Sequence, residues 1–176
     1  MARTEDIPRA RGFEPVVDAR TRLLILGSLP GEVSLRASQY YAHPRNAFWP
    51  LVGGLVGEDL AALAYHERLE RLKAHGIGLW DVIASARRSG SLDAAIRSPE
   101  AADLQRLVAQ LPALRAVAFN GGLAARQGRR ILSGMDHLQL FDLPSSSPAH
   151  AVPLATKARL WAVLAPCLDR DPPPEG

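Results

Sequence analysis

Residues 23–49 read LLILGSLPGEVSLRASQYYAHPRNAFW, and the first nine of them decide the fold class. Leu23, Leu24, Ile25 and Leu26 make an unbroken apolar run with no polar face, the pattern of a strand covered on both sides. Gly27, Pro30 and Gly31 then allow a tight turn. In an open parallel sheet, ligands sit beyond the carboxyl ends of the strands, so the segment after this turn is expected to build a pocket. Tyr40, Tyr41, His43, Asn46, Phe48 and Trp49 supply flat surfaces and an amide that both donates and accepts. A planar heterocycle suits such a pocket.

Working outward, apolar runs at 22–26, 78–83, 116–119 and 138–141 alternate with helical patterns at 47–56, 60–75, 101–111, 123–132 and 154–164. Strands alternating with helices imply crossover connections and a mainly parallel sheet. The expected fold is α/β, a three-layer α/β/α sandwich around a central, mainly parallel sheet of four strands. In the last helix, Leu154, Ala158, Trp161 and Leu164 are expected to form the apolar stripe. Gly27-Ser28, Asp81, Asn120-Gly121-Gly122 and Pro144-Ser145 each fall at or just past the end of a predicted strand. Their convergence on one crevice follows from the parallel arrangement alone. Residues 16–168 read as a single domain, residues 1–15 as a mobile N-terminal segment, and residues 169–176 as a Pro-rich tail.

The chain has 176 residues and a net charge of +3. Lys73 and Lys157 are the only lysines. Arginine suits bidentate contact with phosphate, although a GC-rich genome produces the same bias. A single cysteine cannot close an internal disulfide, which fits a reducing compartment. No apolar run approaches membrane-spanning length, and residues 1–13 lack the apolar segment of a signal peptide. The expectation is a soluble, cytoplasmic, monomeric protein with no membrane partner. No metal-ligand spacing of His or Cys occurs, so neither a metal nor an organic cofactor is expected.

GSLPG is neither a Walker A loop, nor GxGxxG, nor the GxSxG elbow. Taken together, however, GSLPG (27–31), YYAHPRNAFW (40–49) and LPSSSPAHA (143–151) resemble the uracil-DNA glycosylase superfamily, most closely its hypoxanthine-DNA glycosylase branch. The resemblance covers residues from about 22 to about 167. It implies a DNA glycosylase that releases a deaminated base from double-stranded DNA during base excision repair, hypoxanthine being favoured and uracil possible. The enzyme would be nucleoid-associated.

Relatives in several branches carry Asp, Asn or Glu at the third position of the first motif, where this chain has Leu29. The asparagine of HPRN, here Asn46, is the residue that the hypoxanthine branch associates with catalysis; as a bare sequence feature it also reads as a helix cap. The resemblance places Tyr41 against the extruded base and the backbone around Gly27, Ser28 and Leu29 beneath it, with Asn120 as a further base-binding group. Ser145, Ser146, Ser147, Pro148 and His150 form the loop that would enter DNA, and a solvated Ser/Pro loop is its bland alternative. Leu143 stands where other branches often have His or Asn. His43 and Asp81 are candidates to support these groups from behind, His43 alternatively bonding backbone within its turn and Asp81 alternatively accepting backbone bonds at a strand end.

Because neither lysine is expected in the crevice, the product should be an intact abasic site, as left by a monofunctional enzyme. Two alternatives remain: a small α/β hydrolase using Ser28 with His43 or His150 as base, or a relative that binds damaged DNA without catalysis.

Overall fold

The computed structural model describes residues 6–169. In chain order its main elements are β1 (Arg9–Arg11), β2 (Leu23–Gly27), α1 (Glu32–Ala37), α2 (Phe48–Val56), α3 (Tyr65–Ala74), β3 (Ile77–Asp81), β4 (Ile83–Arg87), β5 (Arg97–Ala101), α4 (Leu104–Ala109), β6 (Ala116–Asn120), α5 (Gly122–Ile131), β7 (Gln139–Leu143) and α6 (Leu154–Trp161). The four expected strands form one parallel sheet in the order β3-β2-β6-β7.

β2 lies in the middle and is buried throughout, which is why its sequence shows no polar face. Its alternation separates the two cores: Leu24 and Leu26 pack with Leu104, Leu107, Ala124 and Phe119 on the side of α4 and α5. Leu23 and Ile25 pack with Phe48, Val52, Leu72 and Trp161 on the side of α2, α3 and α6. The result is three layers with helices on both faces. The connection from β2 leads to β3 on one side, whereas β6 continues to β7 on the other. The switch point therefore lies between β2 and β6, whose ends carry Gly27 and Asn120.

A second sheet was not expected. β1, β4 and β5 pair antiparallel in the order β1-β4-β5. The predicted run 78–83 is therefore two strands, with Val82 turning the chain and donating its N–H to Gly27 O. β5 has the sequence RSPEA and all five residues exposed, so it presents no apolar period to read.

Pairing of Arg9–Arg11 with Ser85–Arg87 holds residues 9–11 of the segment expected to be mobile, while residues 1–5 of that segment lie outside the described residues. Trp80 reinforces it by donating its indole N–H to Phe13 O at 2.9 Å. The expected tail lies outside the described residues from 170 onward.

The expected helix 60–75 is broken into a 3₁₀ turn, Leu60–Ala62, and α3. Arg68 reaches back to the carbonyls of Ala61 and Leu63 that the break releases. α6 buries Lys157 and Trp161, while Leu154 is exposed, so its inner face is rotated from the expected stripe. The cause lies in two bonds to the loop after β7, from Trp161 Nε1 to Pro144 O and from Lys157 Nζ to Ser147 O.

Candidate active site

The carboxyl ends of the parallel strands open into one cavity of about 360 Å³. Gly27, Ser28 and Leu29 line it from the end of β2, Asp81 from β3 and Asn120 from β6. Tyr41, His43 and Asn46 come from the connection between α1 and α2, and Ser145, Ser146, Ser147, Pro148 and His150 from the loop after β7. Residues far apart in the chain thus meet where the strand order required.

At the floor, Gly27 makes room for two neighbours. A Cβ there would lie 2.6 Å from Asp81 Oδ1 and 3.1 Å from the Tyr41 hydroxyl, so a side chain would displace one or both. Tyr41 stacks on Phe48 with ring centroids 3.9 Å apart and planes 12° apart, so a buried ring backs the one bordering the cavity. Its backbone φ is 53°, in the left-handed region that bulky residues rarely occupy. Burial, with the Asp81 charge adding to it, raises the pKa of the Tyr41 hydroxyl and keeps it neutral. Asp81 is 5% exposed, and its Oδ2 is buried without a hydrogen-bond partner. Burial pushes this carboxyl up to about 7; Asp93 adds to the rise and Arg88 opposes it.

Asn46 stands at the entrance to α2. Its Oδ1 accepts the N–H of Phe48 at 2.9 Å, satisfying one of the free amides of the helix start. Ala47 is the N-cap residue of α2, so Asn46 serves the helix start from one position ahead of it, and the bond fixes the amide at the cavity wall with one carbonyl lone pair unspent. His43 Nδ1 accepts the N–H of Arg45 at 3.0 Å, the turn bond anticipated for it. Its ring proton accordingly resides on Nε2.

The loop after β7 is held from several sides. Asn120 accepts the Ser146 N–H at 2.8 Å and donates to Ser146 Oγ at 2.9 Å, a two-bond clip. Its amide also donates to the Tyr41 hydroxyl at 3.3 Å. Ser146 O accepts from Ala47 N–H at 2.9 Å, joining the loop to the Asn46 turn. Ser146 is only 1% exposed, so it anchors the loop from inside and does not belong with the DNA-facing residues. Pro148 and His150 are exposed, and Ser145 and Ser147 half-buried.

Several contributors were not legible in the sequence. Arg88 is 7% exposed and donates to the carbonyls of Leu29, Pro30 and Gly90, fixing the shape of the GSLPG turn. Burial lowers its pKa, partly offset by Asp93, Glu32 and Asp81. Asp93 accepts from Ser28 Oγ at 2.6 Å. That bond engages the serine hydroxyl, and among the described residues neither His43 nor His150 is its partner, so the nucleophile–base pair of a hydrolase is not assembled.

The chain matches the family described as the Uracil DNA glycosylase superfamily over residues 14–165. The chain belongs to this superfamily. It is 43% identical over 154 residues to a hypoxanthine DNA glycosylase of Methanosarcina barkeri, covering 88% of this chain and 96% of that protein. A hypoxanthine DNA glycosylase of Methanosarcina acetivorans is 45% identical over 140 residues, covering 80% and 87% respectively. The solution structure of a candidate uracil DNA glycosylase from M. acetivorans superposes with a TM-score of 0.82 at 40% identity, over 92% of this chain and 99% of that one.

Leu29 and Leu143, the two positions where the resemblance had led a polar group to be expected, are 6% and 5% exposed and belong to the two hydrophobic cores, so each apolar side chain contributes packing.

Neither Lys73 nor Lys157 lines the first cavity, as expected, but Lys157 is not on an outer helix face. It is 3% exposed, its pKa lowered by burial, and it borders a second cavity of about 280 Å³ that shares Asn46, Pro148 and His150 with the first. Arg45 borders this second cavity as well. Among the described residues, no group of three or more His, Cys, Asp or Glu could hold a metal ion, and no helix is long and apolar enough to cross a membrane.

Proposed function

We propose that this chain is a monofunctional DNA glycosylase that hydrolyses the N-glycosidic bond of a deaminated base in double-stranded DNA, with hypoxanthine preferred to uracil. The observation that carries this reading is the Asn46 amide, capped onto α2 and presented at the wall of a cavity that also contains an aromatic platform. The two relatives named hypoxanthine DNA glycosylase support the substrate preference.

The anomeric carbon is out of reach inside a duplex, so the nucleotide swings out and its base enters the cavity. Tyr41 stacks on the base, which its backing by Phe48 supports. The unspent lone pair of Asn46 Oδ1 accepts a hydrogen bond from a water and turns that water toward the sugar. An amide is too weak a base to take the proton early, so the glycosidic bond breaks first. The sugar becomes oxocarbenium-like and the base departs with the bond electrons.

Asn120 acts as a positioning residue whose amide fixes Ser146 and Tyr41. Arg45, Lys157 and the exposed end of the serine loop border the groove that suits phosphate. The protein acts as a monomer where chromosomal DNA lies, in the cytoplasm at the nucleoid.

The test is single-turnover release of free base from duplexes carrying hypoxanthine, uracil, xanthine or a mismatched thymine. Hypoxanthine is expected to leave fastest, with an intact abasic site as product. Faster uracil release overturns the preference. A borohydride-trapped protein–DNA adduct, with Lys157 as the amine to examine, overturns the monofunctional assignment.

A further inference from the structure

A fully buried lysine is almost always paired with a carboxylate, and Lys157 is not. It is 3% exposed, donates only to Ser147 O at 3.2 Å and has no acidic partner among the described residues. An ammonium has three N–H donors, so two are left without a protein acceptor. Burying a charge in that condition is costly unless another group completes it. Burial alone lowers the pKa of this amine, with no neighbouring charge to offset it.

Lys157 borders the second cavity, and the two cavities differ in charge. Asp81 and Asp93 line the first, whereas among the described residues no Asp or Glu lines the second, where Arg45 and His150 accompany Lys157. The start of α6 adds to the contrast. Leu154 lines the second cavity, and among the described residues the N–H groups of Leu154 and Ala155 have no carbonyl acceptor.

We propose that the second cavity is an anion site for one of the two phosphodiesters flanking the extruded nucleotide, with Lys157 as its central cation. This rests on the glycosylase reading above and assigns to it the contact that holds the sugar from its backbone side.

Position decides the ligand. Asn46 lines both cavities, and the reaction places the deoxyribose beside Asn46. A phosphodiester is attached to each side of that sugar, so an anion held next to Asn46 in the adjoining cavity is a phosphate of the same strand. Pro148 and Leu154 make part of the wall apolar, and charge-assisted hydrogen bonds are strong in such surroundings. Lys157 keeps its bond to Ser147 O while its other N–H groups reach the phosphate oxygens, so one side chain ties the strand to the serine loop. The contact forms only once the nucleotide has swung out, because only then does its sugar lie beside Asn46. It therefore favours the extruded state over the stacked one.

The experiment measures affinity, by fluorescence anisotropy, for duplexes carrying a 2′-fluoro-2′-deoxyinosine that resists cleavage. Each linkage flanking that nucleotide is replaced in turn by an uncharged methylphosphonate, with a distant linkage replaced as control. Wild type is expected to lose roughly 10-fold at one flanking linkage, the size of one charged hydrogen-bonded contact, and little at the control. Lys157→Met, its folding verified by circular dichroism, should bind the unmodified duplex weaker by a similar factor and be indifferent to methylphosphonate at that linkage. Its slope of log affinity against log salt should be smaller by about 1. Wild type indifferent at both flanking linkages overturns the proposal without any variant. A folded Lys157→Met that keeps the full penalty overturns it as well.

Calorimetry with inorganic phosphate alone separates the DNA backbone from a free anion. Tight, Lys157-dependent phosphate binding by a protein indifferent to both methylphosphonates assigns the cavity to a small phosphate and overturns the proposal. Release of hypoxanthine from a deoxyinosine duplex is measured alongside. A protein that releases no base but shows the Lys157-dependent penalty loses the glycosylase reading and keeps the anion site. One that releases base without the penalty loses the site alone, and one that neither binds nor releases loses both.

Discussion

Two sides of the cavity use polar groups in opposite ways. On the side of the serine loop, hydrogen bonding is dense: Asn120 clips Ser146 twice, Ala47 donates to Ser146 O, Lys157 to Ser147 O and Trp161 to Pro144 O. On the floor, Asp81 Oδ2 has no partner, Tyr41 has an unfavourable backbone conformation and Asn46 spends one lone pair on its helix. The lesson is that a satisfied network holds a shape, whereas an incomplete one stores capacity for a ligand at the expense of stability. Mutations on the two sides should therefore separate activity from folding.

The largest effect is expected on the floor. Asn46→Ala should reduce single-turnover hypoxanthine release roughly 100- to 1000-fold. Its stability loss should be only that of a helix cap, about 1 kcal/mol. Asn46→Asp sharpens the point: the carboxylate is a better base but repels the departing anion, so its rate should fall between the two. Near-normal release by a folded Asn46→Ala protein would break the assignment.

Asp81 supplies the pH-dependent test of stored instability. Its unfolded carboxyl ionises near 3.8 and its folded one at about 7, so between these values the native chain binds more protons. Stability must then decline as pH rises from about 4 to about 7 and remain lower above that. Asp81→Asn should match wild type in urea unfolding at pH 4 and exceed it at pH 8 by on the order of 3–4 kcal/mol. Equal stabilities at both pH values would refute the strained floor.

On the satisfied side, Asn120→Ala leaves the buried Ser146 groups without partners and should cost about 1–3 kcal/mol in urea unfolding. Its effect on release should arise mainly through weaker DNA binding, and an unchanged unfolding midpoint would break the contrast between the two sides. The smallest folding change belongs to the outer loop. Ser145→Ala with Ser147→Ala should alter stability by about 0.5 kcal/mol or less, because water can replace the turn bonds, yet weaken duplex binding measured by titration. Unchanged affinity would return that loop to an ordinary turn.

The parallel sheet was legible because its strands carry apolar residues and end in, or are followed by, Gly, Asp, Asn or Pro, and strand ends in a parallel sheet share one edge. The antiparallel sheet was not: RSPEA in β5 faces solvent, and β1 is held by pairing with β4 rather than by apolar side chains. The rotation of α6 was hidden for a related reason. A lysine normally marks the outer face, whereas Lys157 lies on the inner one, where its Nζ donates a hydrogen bond to Ser147 O. Arg88 had no motif to identify it, since its partners are backbone carbonyls, which look alike in every sequence.

What the sequence determined by itself is the layered architecture and the neighbourhood of the site. Both follow from local patterns, apolar periodicity and the residues just past strand ends, that packing had no reason to override. Only the tertiary structure decided which polar groups are spent and which are available. Asn46 and Asn120 are the same residue type, yet one caps a helix with a lone pair to spare and the other is consumed by Ser146 and Tyr41. Hydrogen-bond satisfaction depends on partners that are distant in the chain, and those partners are known only once the chain has folded.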